Sequence, residues 1–395
     1  EQKTSSVENY LPELLAHSKA LSEKYSIRLN ENKSEGNSAI TSWGQFRVFL
    51  FNDVGFYGGA GIAHERIAKS LKLYGVEIQC VSVSDIWSDE KHFIDLNALR
   101  EKLEQFNPDL VICGNIHGIK DNHLEILSIL SNSRPCWFVV HDYWITNGSD
   151  PYPSLDAKKP LSNINQDSSE WISAVNEIAN LSLLPNSKYC KETLSLCEFE
   201  RIISSDFHLS LDTTLTEMKC LTMELLTKGP LNKKVRIALG SVGLLEERKG
   251  AYVLLEALEL MPENILKNIR FDSYGYNPLE KINEFCEYKH HGFLGQEEVR
   301  ELLKTSDIYV NTSKVETFGQ TSLESIDFGM ICLSNENGGS SEMIIDGNNS
   351  FAFAMTGKSL SLSLTKIVDS LLKESILLDC QNKLARSLSV SIFFS

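Results

Sequence analysis

Residues 46–84 read FRVFLFNDVGFYGGAGIAHERIAKSLKLYGVEIQCVSVS. FRVFLFN and VEIQCVSVS are mainly apolar runs of strand length. Between them GIAHERIAKSLKLYG repeats apolar residues at helical spacing, with Ile62, Ile67 and Leu71 on one side. A strand covered on both faces has no solvent side and does not need strict alternation, and a helix between two such strands is the natural crossover of a parallel pair. NPDLVICG, DNHLEILSIL and PCWFVVH continue the rhythm. The expectation is a doubly wound α/β domain that begins near Phe46.

Working outward, the same rhythm restarts at KKVRIALGS and runs through helix YVLLEALELM, strand IRFDSYG, a short strand at HHGFLG, helix EEVRELLKTS, strand DIYVNTS, helix QTSLESIDFG, strand ICLSN and helix SEMIID. Gly229-Pro230 in the polar TKGPLNKK interrupts the pattern between the two series. The expected organisation is a helical appendage and linker over 1–44, a first Rossmann-like domain over 45–230 and a second over 231–395. Residues 151–180 read as polar, turn-rich loop.

Of 395 residues, 38 are Lys or Arg and 53 Asp or Glu, a formal net charge of −15. That disfavours bulk attraction to nucleic acid. Nine Cys form no C-x-x-C pair and read as reduced thiols. The N-terminus lacks the basic and apolar regions of a signal peptide, and no apolar run reaches ~18 residues. These features point to a cytoplasmic protein.

In open α/β sheets the ligand sits beyond the carboxyl ends of the strands, which makes five loops candidates. VGFYGGAGIAHER puts Gly55, Gly58, Gly59 and Gly61 after the first strand, where a backbone can approach a ligand or simply turn. It is not a dinucleotide fingerprint, since no acid ends the second strand. HDYWIT puts His141 at a strand's end, with Asp142 either orienting the ring or capping the adjoining segment; His117 in GNIHG is a less specific case. EERKGAYVLLEAL sets Arg248 and Lys249 at a helix start, where the dipole prefers anions. A bound phosphate would resolve that tension, and solvated surface charge is the alternative. In SKVETFGQTSLESIDFGM, Glu316 precedes a Thr317-Phe318-Gly319 turn and a helix from Gln320 carrying Glu324. Amides there suit a diphosphate, and a carboxylate suits sugar hydroxyls. NENGGSSEMIIDG places a Gly338-Gly339 turn beside it.

The last three constellations, in order and spacing, resemble family 4 of the retaining glycosyltransferases, whose GT-B fold is two facing Rossmann-like domains with an interdomain cleft. ETFGQTSLE matches its E-x7-E motif, RKG lies upstream, and GGSSEMIIDGNNSF resembles its continuation. The likeness spans about 45–355, and GGAG, NIHG and HDYW are similar to transferases that build bacterial surface polysaccharides. At one departure, Leu244 in VGLLEERKG stands where the family commonly writes a basic residue. A second is the end of the chain, which stops where a last helix usually crosses back to the first domain.

The resemblance implies a metal-free enzyme without a cofactor that moves a sugar from a UDP- or GDP-sugar to a glycan or lipid-linked acceptor. Arg248 and Lys249 would neutralise the diphosphate. Thr317 and the amides of Phe318, Gly319 and Gln320 would cradle it. Glu316 would hold sugar hydroxyls, Glu324 the ribose, His141 would sit near the sugar, and Gly59 would border the donor. No nucleic acid partner is expected, and peripheral contact with the inner face of the membrane stays open. A degenerate nucleotide-sugar-binding scaffold, a GT-B sugar-nucleotide epimerase, a glycan phosphorylase and a solute-binding protein are the competing readings. The missing lysine-centred pyridoxal site counts against the phosphorylase, and the absent signal peptide against the solute binder.

Overall fold

The computed structural model describes residues 46–203 and 234–372 apart from 54, 56–57, 74, 84–86, 89–92, 120, 155, 157, 162–165, 241–245, 328–329 and 345–349. The expected N-terminal helix and Leu244 lie outside the described residues. The chain divides into two compact units, the first built on residues up to 153 and 161–207, the second on 154–160 and 208–390.

In the first unit, β1 (Arg47–Asn52) leads into α1 (Gly58–Leu73) and β2 (Glu77–Ser82). A two-stranded ribbon, β3 (Trp87–Ser88) and β4 (Phe93–Ile94), precedes α2 (Leu96–Phe106), β5 (Leu110–Cys113), α3 (His123–Ser131), β6 (Cys136–Val140), α4 (Gln166–Glu177), β7 (Leu181–Pro185) and α5 (Lys188–Leu194). The five long strands form one parallel sheet in the order β2-β1-β5-β6-β7. Strands β5, β6 and β7 are buried at every position, as their unbroken apolar runs require.

The second unit repeats the scheme. It comprises β8 (Val235–Gly240), α6 (Ala251–Leu260), α7 (Glu263–Leu266), β9 (Ile269–Tyr274), β10 (Glu287–His290), α8 (Gln296–Lys304), β11 (Ile308–Asn311), α9 (Gln320–Asp327), β12 (Ile331–Asn335), β13 (Ser350–Phe353) and α10 (Gly357–Leu372). Its sheet is also parallel, in the order β10-β9-β8-β11-β12-β13. One core cluster joins Val253, Leu254 and Leu258 of α6 and Leu360, Leu364 and Val368 of α10 to Ile237, Phe271 and Leu333 of the sheet. At ~25 cal/mol per Å² of apolar surface removed from water, such faces are what hold helices of this length in place.

The two units share one device at the amino ends of their central strands. Asp109 accepts the Arg47 amide at 2.7 Å and Asp307 accepts the Arg236 amide at 2.8 Å, while each aspartate's own amide returns to the same residue's carbonyl. The strand order of each sheet reverses at this same pair, between β1 and β5 and between β8 and β11. A doubly wound sheet opens a crevice at the carboxyl side of such a switch point.

Several sequence expectations change. The Gly-rich stretch is not a turn throughout: Gly58, Gly59 and Gly61 lie in the first turns of α1, and only Gly55 takes a left-handed backbone, φ 86°. The edge strand falls on Glu287–His290 and shares only His290 with HHGFLG. SEMIID is a 3-10 turn over Gly339–Met343, not an α-helix, and the loop expected over 151–180 contains α4. Among the described residues no helix is long and apolar enough to cross a membrane.

Candidate functional site

The second unit's switch point carries the ERKG and ETFGQ segments. After β8 the chain makes a 3-10 turn, Glu247–Lys249, closed by Gly250 at φ 61°. A Cβ on Gly250 would run into the Thr312 carbonyl just past β11, so glycine lets this turn press against the neighbouring strand end. Thr312 Oγ1 donates to the Lys249 carbonyl at 2.7 Å and the Lys314 amide to the Arg248 carbonyl at 2.7 Å, which ties the two loops together.

Across that seam Lys249 Nζ meets Glu316 Oε1 at 2.6 Å, with side chains only 15% and 18% exposed. Burial alone would raise the Glu316 carboxyl. Lys249, through charge and hydrogen bond, Ser313 and the Arg248 charge outweigh it and hold the group below its ordinary value of 4.5. Arg248 Nε is matched by Glu246 at 2.6 Å. A third cation is added: Lys314 pairs with Glu247 at 2.9 Å and lies 5.0 Å from the centre of the Tyr252 ring. The basic residues near the start of α6 are thus each balanced by a carboxylate, which resolves the dipole conflict without a ligand.

Beyond Glu316, Gly319 at φ 89° turns the chain into α9, whose first turn holds no acid. The first amides of a helix have no intrahelical acceptor and present partial positive charge. The Gly338-Gly339 turn backs this segment: the Gly339 amide donates to the Glu316 carbonyl at 2.7 Å, and a Cβ on Gly339 would collide with Thr317. Asn311 Nδ2 donates to Ser322 Oγ at 2.9 Å and Asn335 Nδ2 to the Lys314 carbonyl at 3.0 Å, so the ends of β11 and β12 brace both sides. Glu324 is half-buried one turn into α9, and its charge, after burial, helps raise the hydroxyl of Tyr274 at the end of β9. Arg248, Lys249, Glu316, Thr317, Phe318, Gly319, Gln320 and Glu324 therefore fall on one side of one sheet.

Gly59 and His141 belong to the first unit. A Cβ on Gly59 would meet nothing within 4 Å, so the first turn of α1 borders open space. His141 follows β6 directly. Burial, with an opposing pull from Asp142 and a push from His117, lowers its imidazole to about 4. His64 of α1 packs edge-on against it, ring centroids 5.1 Å apart. His64 is fully buried, neither of its ring nitrogens has a hydrogen-bond partner, and burial and His141 keep it neutral. Its place was legible, since Ala68 and Leu71, four and seven residues on, share its buried helix face.

Asp142 resolves the choice left open between orienting a ring and capping. It accepts the Trp144 amide at 3.0 Å, capping a 3-10 turn over Trp144–Thr146, and its other oxygen meets His117 Nε2 at 3.1 Å and Asn115 Nδ2 at 3.3 Å. The ring it orients is His117. Two parallel doubly wound units, each carrying polar side chains at its switch point, make up the GT-B fold.

Residues 224–386 match the family described as Glycosyl transferases group 1. Among solved structures it is similar to HepE of Anabaena in complex with UDP and glucose, with 17% identity over 88% of this chain and 95% of that one and a TM-score of 0.57. It is also similar to a glycosyltransferase from Rickettsia africae, 16% identical over 88% and 94% with a TM-score of 0.61. A third is WaaG, a glycosyltransferase involved in lipopolysaccharide biosynthesis, 16% identical over 87% and 95% with a TM-score of 0.53. No curated protein matches the chain by sequence.

Proposed function

We propose that this glycosyltransferase moves a sugar from a nucleoside diphosphate donor, UDP- or GDP-linked, to a glycan or lipid-linked acceptor in polysaccharide or glycoconjugate synthesis. The second unit is the donor side and the first the acceptor side. The observation that carries this reading is the Lys249–Glu316 pair at the switch point, set against a glycine turn that opens a helix without an acid in its first turn. An anionic diphosphate replaces the carboxylates opposite Lys249 and Arg248 and meets the amides of Phe318, Gly319 and Gln320, beside Thr317. Released Glu316 then accepts sugar hydroxyls, Glu324 accepts ribose hydroxyls, and His141 and Gly59 border the sugar from the first unit. Charge grows on the diphosphate as the glycosidic bond breaks, and preorganised cations and amides favour that state, each by ~3 kcal/mol when well placed. Solved HepE complexes with UDP and with UDP-glucose lend support to the donor class, and WaaG to the pathway class.

The test is nucleotide release from a panel of UDP-, GDP- and ADP-sugars, by the wild type and by Glu316→Ala. Release that depends on Glu316 is expected. No donor bound or consumed would overturn the reading, and donor binding without any turnover would replace it with a binding scaffold.

A further inference from the structure

The chain holds two Asn-Gly pairs, Asn147-Gly148 and Asn337-Gly338. Asparagine is among the chemically labile residues of proteins, and a following glycine makes it more so, because no Cβ hinders the approach of the next backbone nitrogen to the side-chain amide carbon. Both asparagines are half-buried, so exposure does not separate them. Their hydrogen bonds do.

Asn147 follows the Trp144–Thr146 turn. Its Oδ1 accepts the Ser149 amide at 2.8 Å, the Ser149 hydroxyl at 2.8 Å and the Asp150 amide at 2.6 Å, and its Nδ2 donates to the Asp150 carbonyl at 2.7 Å. The nitrogen that would attack is occupied as well. The Gly148 amide donates to the Trp144 carbonyl at 2.8 Å, and Gly148, at φ 71°, lies so close to the Trp171 ring that a Cβ would strike it. Asn337 has none of these restraints. Its Nδ2 makes one long contact, 3.4 Å to the Glu336 carboxylate. Among the described residues its Oδ1 accepts no hydrogen bond and the Gly338 amide has no acceptor.

We propose that Asn337 is a site of spontaneous deamidation in the folded protein and that Asn147 is shielded from it. Solvent base removes the Gly338 amide proton, the nitrogen bonds to Cγ of Asn337, and the Cγ–Nδ2 bond breaks with release of ammonia. The resulting succinimide takes up water at one carbonyl or the other, which leaves aspartate or isoaspartate in place of the asparagine. Water is the only co-reactant. Both products add a negative charge beside Glu336, and isoaspartate also lengthens the main chain by one carbon just before Gly338. That turn supports Glu316: Gly338 backs onto the Glu316 backbone, the Gly339 amide donates to the Glu316 carbonyl at 2.7 Å, and Gly339 presses on Thr317. The chemistry needs only the turn and solvent, so it stands apart from the transferase reading.

The experiment ages the full-length wild type at neutral and mildly alkaline pH, in buffer and in urea, and maps its peptides by mass spectrometry that separates aspartate from isoaspartate. In buffer, conversion at position 337 should outpace conversion at 147 by at least about tenfold and should speed up with pH. In urea the two sites should react within about threefold of each other, because folding is what distinguishes them. Conversion at 147 that matches 337 in buffer would overturn the proposal, as would an Asn337 that stays intact in buffer while both sites react in urea. Aged wild type should also lose unfolding temperature in step with its isoaspartate fraction, while Asn337→Gln, whose longer side chain closes the ring far more slowly, keeps its own value under the same ageing. An equal fall in the aged variant would overturn the assignment of that loss to this turn.

Discussion

Replacing Lys249 with Met keeps most of the stem and removes the charge 2.6 Å from Glu316. The carboxylate, 18% exposed, is then held in place by Ser313 and the more distant Arg248 charge. Removing one partner of a fully buried pair costs about 3–5 kcal/mol. Glu316 has an escape, which is to take up a proton. From an ordinary value of 4.5 this costs about 3.4 kcal/mol at pH 7 but only about 0.7 kcal/mol at pH 5, at ~1.36 kcal/mol per pH unit. The expected loss is therefore about 3 kcal/mol at pH 7, shrinking to about 1 kcal/mol at pH 5. Denaturant unfolding of wild type and variant at both values reads it directly. The sign comes from the wild-type pair: a carboxyl held below 4.5 stabilises above that value and loses its contribution as the pH falls through its folded pKa. Nucleoside diphosphate binding supplies the second readout. Loss of one charge-assisted contact, about 1.5–3 kcal/mol, weakens it about 10- to 150-fold. Glu316→Gln leaves the cation in place, so it should retain nucleoside diphosphate affinity while losing the part of donor affinity that depends on the sugar. A stability loss that does not vary with pH, or unchanged diphosphate affinity in Lys249→Met, would refute the reasoning.

Two further outcomes are expected. His141, lowered to about 4, is taken up neutral, so folding loses stability as the pH falls from 6.5 toward 4; thermal unfolding of His141→Gln across that window should show a shallower pH dependence than the wild type. Among glycines, Gly339→Ala and Gly250→Ala should lower both the unfolding temperature and donor affinity, because the added carbon strikes Thr317 and the Thr312 carbonyl respectively. Gly59→Ala should leave the unfolding temperature unchanged or slightly raised, because its space is open; a large loss of stability there would refute the placement of Gly59.

The sequence made legible whatever depends on long apolar runs. Strands β1, β5, β6, β11 and β12 are buried almost throughout, and their runs stand out in the text. Edge strand β10 alternates between exposed and half-buried positions and is rich in charge, so the apolar GFL beside it drew the assignment three residues downstream. Helix α4 hid in a polar stretch because only Ile172 and Val175, with Ser168, are fully buried on it. The segments at the second unit's switch point were legible because a strand, an acid, a glycine turn and a helix are contiguous in sequence. The partners that set their charge state were not. Lys249 and Glu316 are 67 residues apart, and so are Lys314 and Glu247. Only the adjacency of β8 and β11 brings them together.

That adjacency also explains how an acidic protein can present a cationic site. Lys249, Arg248 and Lys314 each sit opposite a carboxylate, so in the resting protein the seam between the two loops is nearly neutral and the cations are already in place. Under the proposed function, an incoming diphosphate would exchange one anionic partner for another and so avoid ordering loose side chains around itself, a cost of about 0.5–1.5 kcal/mol for each immobilised chain. That exchange would free Glu316, so the same event that seats the phosphates would make a buried carboxylate available to sugar hydroxyls. A nucleotide without its sugar would leave that carboxylate with no partner, which favours the intact donor over the spent one.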